Sequence, residues 1–115
     1  MQRRDYIIIE KILSEIRIAA DMLGNTELDA FLSDEKLKRA VGMTVINIGE
    51  LVKDITEETR IKYRNVPWKA IAGLRDIAAH KYQTLRMEDV YNTASKDLPE
   101  LEESLKNIIE CETDK

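Results

Sequence analysis

The stretch that decides the fold is LKRAVGMTVINIGELVKDI, Leu37 to Ile55. Leu37, Val41, Thr44, Ile48, Leu51 and Ile55 recur in steps of four and three. A helix at 3.6 residues per turn lines such positions up as one seam, the pattern of a bundle rather than a sheet. Working outward, Ile9, Ile12, Leu13, Ile16, Ala20 and Leu23 make a similar stripe, so a helix is expected over about Gln2–Leu23. Gly24 suits the residue after its end, and Asn25, Thr26, Ser33 and Asp34 supply turn and cap chemistry before the next helix. Thr56 can cap a short segment, EETRIKYR. Pro67 suits the first turn of a third long helix running to about Ala79. Met87, Tyr91, Ala94, Leu98, Leu101, Leu105 and Ile108 define the last helix, with a kink expected near Pro99. The expectation is a single all-α domain over residues 1–115, an antiparallel bundle of four to five helices.

Composition agrees. The 115 residues are 43% hydrophobic and 35% charged, with 4 Gly and 2 Pro. No run reaches the roughly 20 apolar residues that span a bilayer. Glu10 and Lys11 interrupt the N-terminal apolar patch, so no signal peptide is read there. Cys111 is the lone cysteine and forms no internal disulfide; a cytoplasmic address is the expectation. One His and one Cys give no cluster resembling a zinc or iron site.

The charge is unevenly placed. Residues 60–86 hold seven basic side chains and only Asp76, inside a chain of net charge −4. A basic segment attracts phosphate backbones even when the whole chain is anionic. The same charges could simply pair with the acidic flanks. That segment contains LRDIAAHKYQTL, Leu74 to Leu85, with the only histidine, His80. Asp76 and His80 are at i and i+4, one face of a helix, where a carboxylate can orient an imidazole and favour its cationic form. Arg75 could reach round from about 140° away on an ideal helix.

A histidine, an arginine and an orienting carboxylate suit phosphodiester cleavage. RNA carries its own nucleophile, the 2′-hydroxyl, and acid–base assistance is worth about 100- to 10,000-fold. A positioned cation stabilises the phosphorane charge. One imidazole cannot serve as acid and base in a single step, so a two-histidine scheme needs two chains, hence a symmetric dimer. Spacing alone equally describes a histidine at a helix C-terminus with surface charges beside it.

The residues themselves carry a resemblance. VPWKAIAGLRDIAAHKYQTLRMEDVYNTASKDLPELEESL, Val66 to Leu105, resembles the HepT toxins of the HEPN superfamily. The motif of that branch is Arg, four residues, His, one residue, Tyr, matched by Arg75, His80 and Tyr82 with Asp76 at the polar position. VPW before the motif, DLPEL after it and INIGE at Ile46–Glu50 extend the likeness over nearly the whole chain. Gln83 departs from it, since an aromatic residue often follows the motif tyrosine.

The resemblance implies a dimeric, metal-independent endoribonuclease acting as the toxin of a toxin–antitoxin pair. Arg75 and His80 would be catalytic, with Asp76 orienting. The implied partner is an MntA-like nucleotidyltransferase antitoxin that transfers AMP from ATP to Tyr82, placing bulk and charge beside the groove. ATP would be the antitoxin's substrate; this chain has no glycine-rich phosphate loop and no cofactor is expected of it. Lys81, Arg86 and Glu50 are candidate substrate contacts. Glu50 could equally be a packing contact, as could Asn47 one turn earlier. Trp68 reads as a core anchor rather than a base-stacking platform, and Tyr63 and Tyr91 as packing residues. A HEPN-like dimer that binds a nucleotidyltransferase with little nuclease activity, and a purely structural bundle, are the alternatives.

Overall fold

A computed structural model describes residues 1–81 and 86–113, and for residues 75–81 the backbone alone. The elements are α1 (Arg3–Leu23), α2 (Leu28–Leu32), α3 (Glu35–Lys53), α4 (Glu57–Lys62), α5 (Trp68–Lys81), α6 (Met87–Asn92), a π turn (Thr93–Asp97) and α7 (Leu98–Thr113). Among the described residues there is no strand. The fold is the expected all-α antiparallel bundle.

Each long helix has a sequence reason. In α1, Ile9, Ile12, Leu13, Ile16 and Leu23 are buried as expected, while Ala20 is exposed and Ala19 takes its place in the core; Gly24 ends the helix at φ 51°, its N–H donating to the Ala20 carbonyl. That left-handed φ is where glycine is favoured. Asp34 caps α3, accepting from the Leu37 N–H at 3.0 Å. The buried seam of α3 runs through Val41, Val45, Ile48 and Val52, with Leu37 and Leu51 half-buried on its flank. The seam is therefore rotated slightly from the expected one, because α1 and α5 flank α3 on both sides. Thr44 is buried, and its hydroxyl is satisfied by the Ala40 carbonyl at 2.9 Å.

Two features lie outside the expectation. The segment read as turn and cap chemistry contains α2, which buries Phe31 completely. Phe31 packs against the Tyr91 ring at 5.3 Å. Leu28, Ala30 and Leu32 favour a helix locally, and burial of Phe31 against α3 and α6 fixes these five residues in place. The disturbance expected near Pro99 takes the form of the π turn, in which the Leu98 N–H donates five residues back to Thr93. Pro99 has no N–H and its ring crowds the preceding turn, and one extra residue in that turn makes room. The extra residue also shifts the phase of the seam. Upstream of the turn Val90 is buried, whereas Met87 and Tyr91 are half-buried.

Bundle closure rests on a buried carboxylate. Asp5 on α1 is fully buried. It accepts from the Thr56 N–H at 3.1 Å, the Thr56 hydroxyl at 2.5 Å and the Thr59 hydroxyl at 2.6 Å. Burial raises its pKa, but these hydrogen bonds and nearby Arg4 outweigh that and hold it below the usual carboxylate value. Thr56 in turn caps α4 through the Thr59 N–H, as expected. The start of α1 thus meets the end of α3, which makes the pair antiparallel.

Candidate functional site

The local sequence fixes where α5 begins. The Trp68 indole is buried and donates to the Tyr63 carbonyl at 3.0 Å. It is the core anchor expected of it. Ile71 is buried one turn on, and its N–H donates to the Pro67 carbonyl at 3.1 Å, starting the helix ladder. From there the backbone is helical without interruption to Lys81. Arg75, Asp76, His80 and Lys81 therefore lie on the C-terminal half of one helix, two residues longer than expected. Their side chains, and Tyr82 altogether, lie outside the described residues.

The other candidates are described. Glu50 and Asn47 are exposed on α3, the helix packed along α5. With Lys11, Ser14, Ile18 and Leu51 they line a shallow cavity of about 380 Å³ between α1 and α3. Both readings of Glu50, a groove-lining carboxylate and a packing contact, are compatible with this position at a cavity edge. Arg86 is exposed at the start of α6, with an ion pair to Glu88 at 3.7 Å. A second cavity, about 310 Å³, lies between the first half of α5 and the π turn and reaches Leu74, the residue before Arg75.

The basic segment divides on inspection. Arg60 is committed to structure: its guanidinium donates to the carbonyls of Val52 at 2.9 Å, Lys53 at 3.0 Å and Ile55 at 3.2 Å, closing the end of α3. Lys62 pairs with Glu112 at 2.8 Å. Arg64 and Lys69 are exposed and have no ion pair among the described residues. So part of the charge does pair with acidic flanks, and part remains available to an anion. Sequence spacing could not separate the two, since Lys62 and Glu112 are 50 residues apart.

Two tyrosines are likewise committed. The Tyr63 hydroxyl donates to Glu112; burial first, then that carboxylate and Cys111, push its ionisation well up. The Tyr91 hydroxyl donates to the Thr26 carbonyl at 2.8 Å. Both are packing residues, as their sequence setting suggested. Among the described residues no three His, Cys, Asp or Glu side chains are grouped to hold a metal ion. No helix among them is long and apolar enough to cross a membrane.

The likeness of the whole chain to other proteins follows the same lines. The family model described as ribonuclease HepT-like matches residues 12–108. A "Putative RNase" of Caldanaerobacter subterraneus subsp. tengcongensis is 36% identical over 104 residues, which is 90% of this chain and 93% of that protein. A "Putative RNase" of Methanocaldococcus jannaschii is 36% identical over 101 residues, covering 84% of each. A "Probable ribonuclease HepT" of Thermococcus cleftensis is 25% identical over 108 residues, 94% of this chain and 98% of that one. No solved structure matches. The matched span runs from inside α1 to the end of the α7 core and takes in all of α5, and the chain belongs to the ribonuclease HepT-like family.

Proposed function

We propose that this chain is an endoribonuclease of the toxin type, cleaving RNA by attack of the 2′-hydroxyl on the adjacent phosphorus. The observation that carries the reading is the run Arg75 to His80 on the unbroken second half of α5, within the family match. One His80 takes the 2′-hydroxyl proton and the other, in a second copy, gives a proton to the leaving 5′-oxygen. Arg75 balances the charge that builds on phosphorus, and Asp76 orients the imidazole. Lys81, Arg86 and Glu50 border the path of the substrate. No metal takes part in this scheme.

Control falls to Tyr82. A nucleotidyltransferase antitoxin transfers AMP from ATP to its hydroxyl, forming a phosphodiester and releasing pyrophosphate. The added bulk and negative charge repel RNA from the groove. Support for this choice over Tyr63 and Tyr91 is that their hydroxyls are already engaged in the bundle; Tyr6 is exposed on α1 but lies outside the motif.

The deciding experiment is cleavage by purified protein in the presence of a chelator, beside His80→Ala. Wild-type activity should survive the chelator, and His80→Ala should lose it, with growth inhibition, while melting at the wild-type temperature. Activity that survives the substitution, or disappears with the chelator, defeats the mechanism. Mass spectrometry after co-expression with the antitoxin should place an AMP adduct on the Tyr82 peptide.

A further inference from the structure

α5 contains a glycine that the bundle itself does not call for. Gly73 lies inside the helix, which runs on past it to Lys81. Gly24 alone among the described glycines has a positive φ, so Gly73 neither turns nor ends the chain. Glycine inside a helix is less stable than alanine, because its backbone loses more freedom on folding and it brings no side chain to pack. Close approach of a neighbouring element commonly compensates, but a Cβ built on Gly73 meets no heavy atom within 4 Å among the described residues. Gly42 in α3 has the same room for a Cβ, but it is buried inside the bundle, out of reach of another molecule. Gly73 is half-buried, with Lys69 and Ala70 exposed beside it.

Helical register places this gap. Around an ideal helix the buried Trp68 and Ile71 lie about 140° and 160° from Gly73, which therefore looks out of the bundle. Asp76 and His80 stand three and seven residues further on, so all three positions fall within about 60° of one another. The row rises about 10 Å from Gly73 to His80. An RNA strand whose cleaved phosphate lies at His80 continues on either side of it. Toward the anchored end of α5, the position on the row after Asp76 is Gly73, where the helix backbone stands bare.

We propose that Gly73 is a clearance for the RNA strand: a nucleotide flanking the cleaved step lies against the helix backbone there, closer than any side chain would permit. The inference rests on the nuclease reading and adds to it a residue that governs how the strand lies across the site. Contact at bare backbone meets the sugar–phosphate chain and reads no base edge, so it contributes affinity and register without sequence preference. It distinguishes strands that extend past the cleaved step from those that do not.

The test uses the full chain with Gly73→Ala, Gly73→Leu and, as a control for stiffening a helix, Gly42→Ala. Both alanine variants should melt at the wild-type temperature or a few degrees above it. Gly73→Ala should nevertheless raise KM for a single-stranded RNA oligonucleotide, and Gly73→Leu should raise it on the order of tenfold, the scale of one lost nucleotide contact, with kcat unchanged. Cleavage of a dinucleoside monophosphate, which has no strand beyond the cleaved step, should be the same in all variants, and Gly42→Ala should match wild type on both substrates. Affinity for a 2′-O-methyl oligonucleotide, which lacks the nucleophile, should fall with the KM change. This binding arm separates the two claims: a wild type that binds the oligonucleotide but cleaves no RNA defeats the nuclease reading, while the clearance stands or falls on the affinity of Gly73→Leu. Wild-type KM and affinity in Gly73→Leu overturn the proposal, as does a wild type that binds no RNA. A lower particle mass of Gly73→Leu in light scattering also overturns it, assigning the glycine to a contact between copies. An equal loss on the dinucleoside monophosphate does so too, assigning it to the geometry of the motif.

Discussion

α1 and α5 belong to the same bundle and carry opposite loads. α1 places Asp5, Ile8, Ile9, Ile12, Leu13, Ile16, Ala19 and Leu23 in the core along its whole length. α5 is anchored by Trp68 and Ile71 in its first turns, and its second half carries Arg75, Asp76 and His80. One helix spends its sequence on packing. The other is anchored at one end, and in the proposed function its other end carries the reactive groups at a set spacing. Substitutions in α1 should therefore move stability and leave chemistry per folded chain alone, and those in the second half of α5 should do the reverse.

The largest effect that can break this contrast is on α5. Arg75→Ala should lower RNA cleavage by about 100- to 1,000-fold, the usual cost of one charge-stabilising donor. Its thermal midpoint should stay at the wild-type value. A variant that instead unfolds would make Arg75 a packing residue and place the two helices in the same class. The matching change on α1 is Ile12→Ala. Ile12 is fully buried, so the lost contacts and the cavity should cost about 2–5 kcal/mol. For a chain of this size that lowers the midpoint on the order of 10 °C or more. Cleavage measured well below the midpoint should match wild type.

A smaller effect sharpens the comparison by adding pH. Asp5→Ala leaves the Thr59 hydroxyl, in a buried residue, without its acceptor and should cost about 1–3 kcal/mol. The sign of the pH dependence follows from the direction of the Asp5 shift. Its folded pKa lies below the unfolded value of about 3.8, so the folded state binds the proton less readily than the unfolded one. The stabilisation is complete above that unfolded value and is lost as pH falls through the lower folded one. Denaturant melts of wild type and Asp5→Ala should therefore differ by a constant amount from neutral pH down to about pH 4 and converge below it. A gap that widens on acidification would mean the carboxyl is held protonated.

How much of this was legible in the sequence depends on distance along the chain. The stripes of α1 and α3 repeat every three or four residues, so Leu37 to Ile55 and Ile9 to Leu23 announced their helices directly. Thr56, Asp34 and Gly24 announced ends, because caps act within one turn. The Arg75–His80–Tyr82 spacing was equally local. What could not be read was set by partners far away. Phe31 needs Tyr91 to hold α2, Asp5 needs Thr56 and Thr59, and Lys62 needs Glu112. Pro99 advertised a disturbance, but whether it became a bend or a π turn depended on which phase let Val90 and Ala94 both reach the core.

The smallest expected effect concerns Arg86, which belongs to neither load-bearing class by sequence alone. It is mostly exposed, and its pairing with Glu88 at 3.7 Å is a surface contact that contributes little to stability. Arg86→Ala should leave the melting temperature unchanged. If Arg86 meets a phosphate of the bound RNA, removing it weakens binding uniformly across sequences. It also reduces the slope of log affinity against log salt by about 0.7, the value for one single-strand phosphate contact. Lys69→Ala is the internal comparison, since Lys69 is exposed at the anchored end of α5 and away from the motif. A slope that changes for Arg86 and not for Lys69 places the RNA path over the second half of α5 and the start of α6. Equal changes would spread it along the whole helix, and the division of α5 into an anchored half and a reactive half would then hold for catalysis but not for binding.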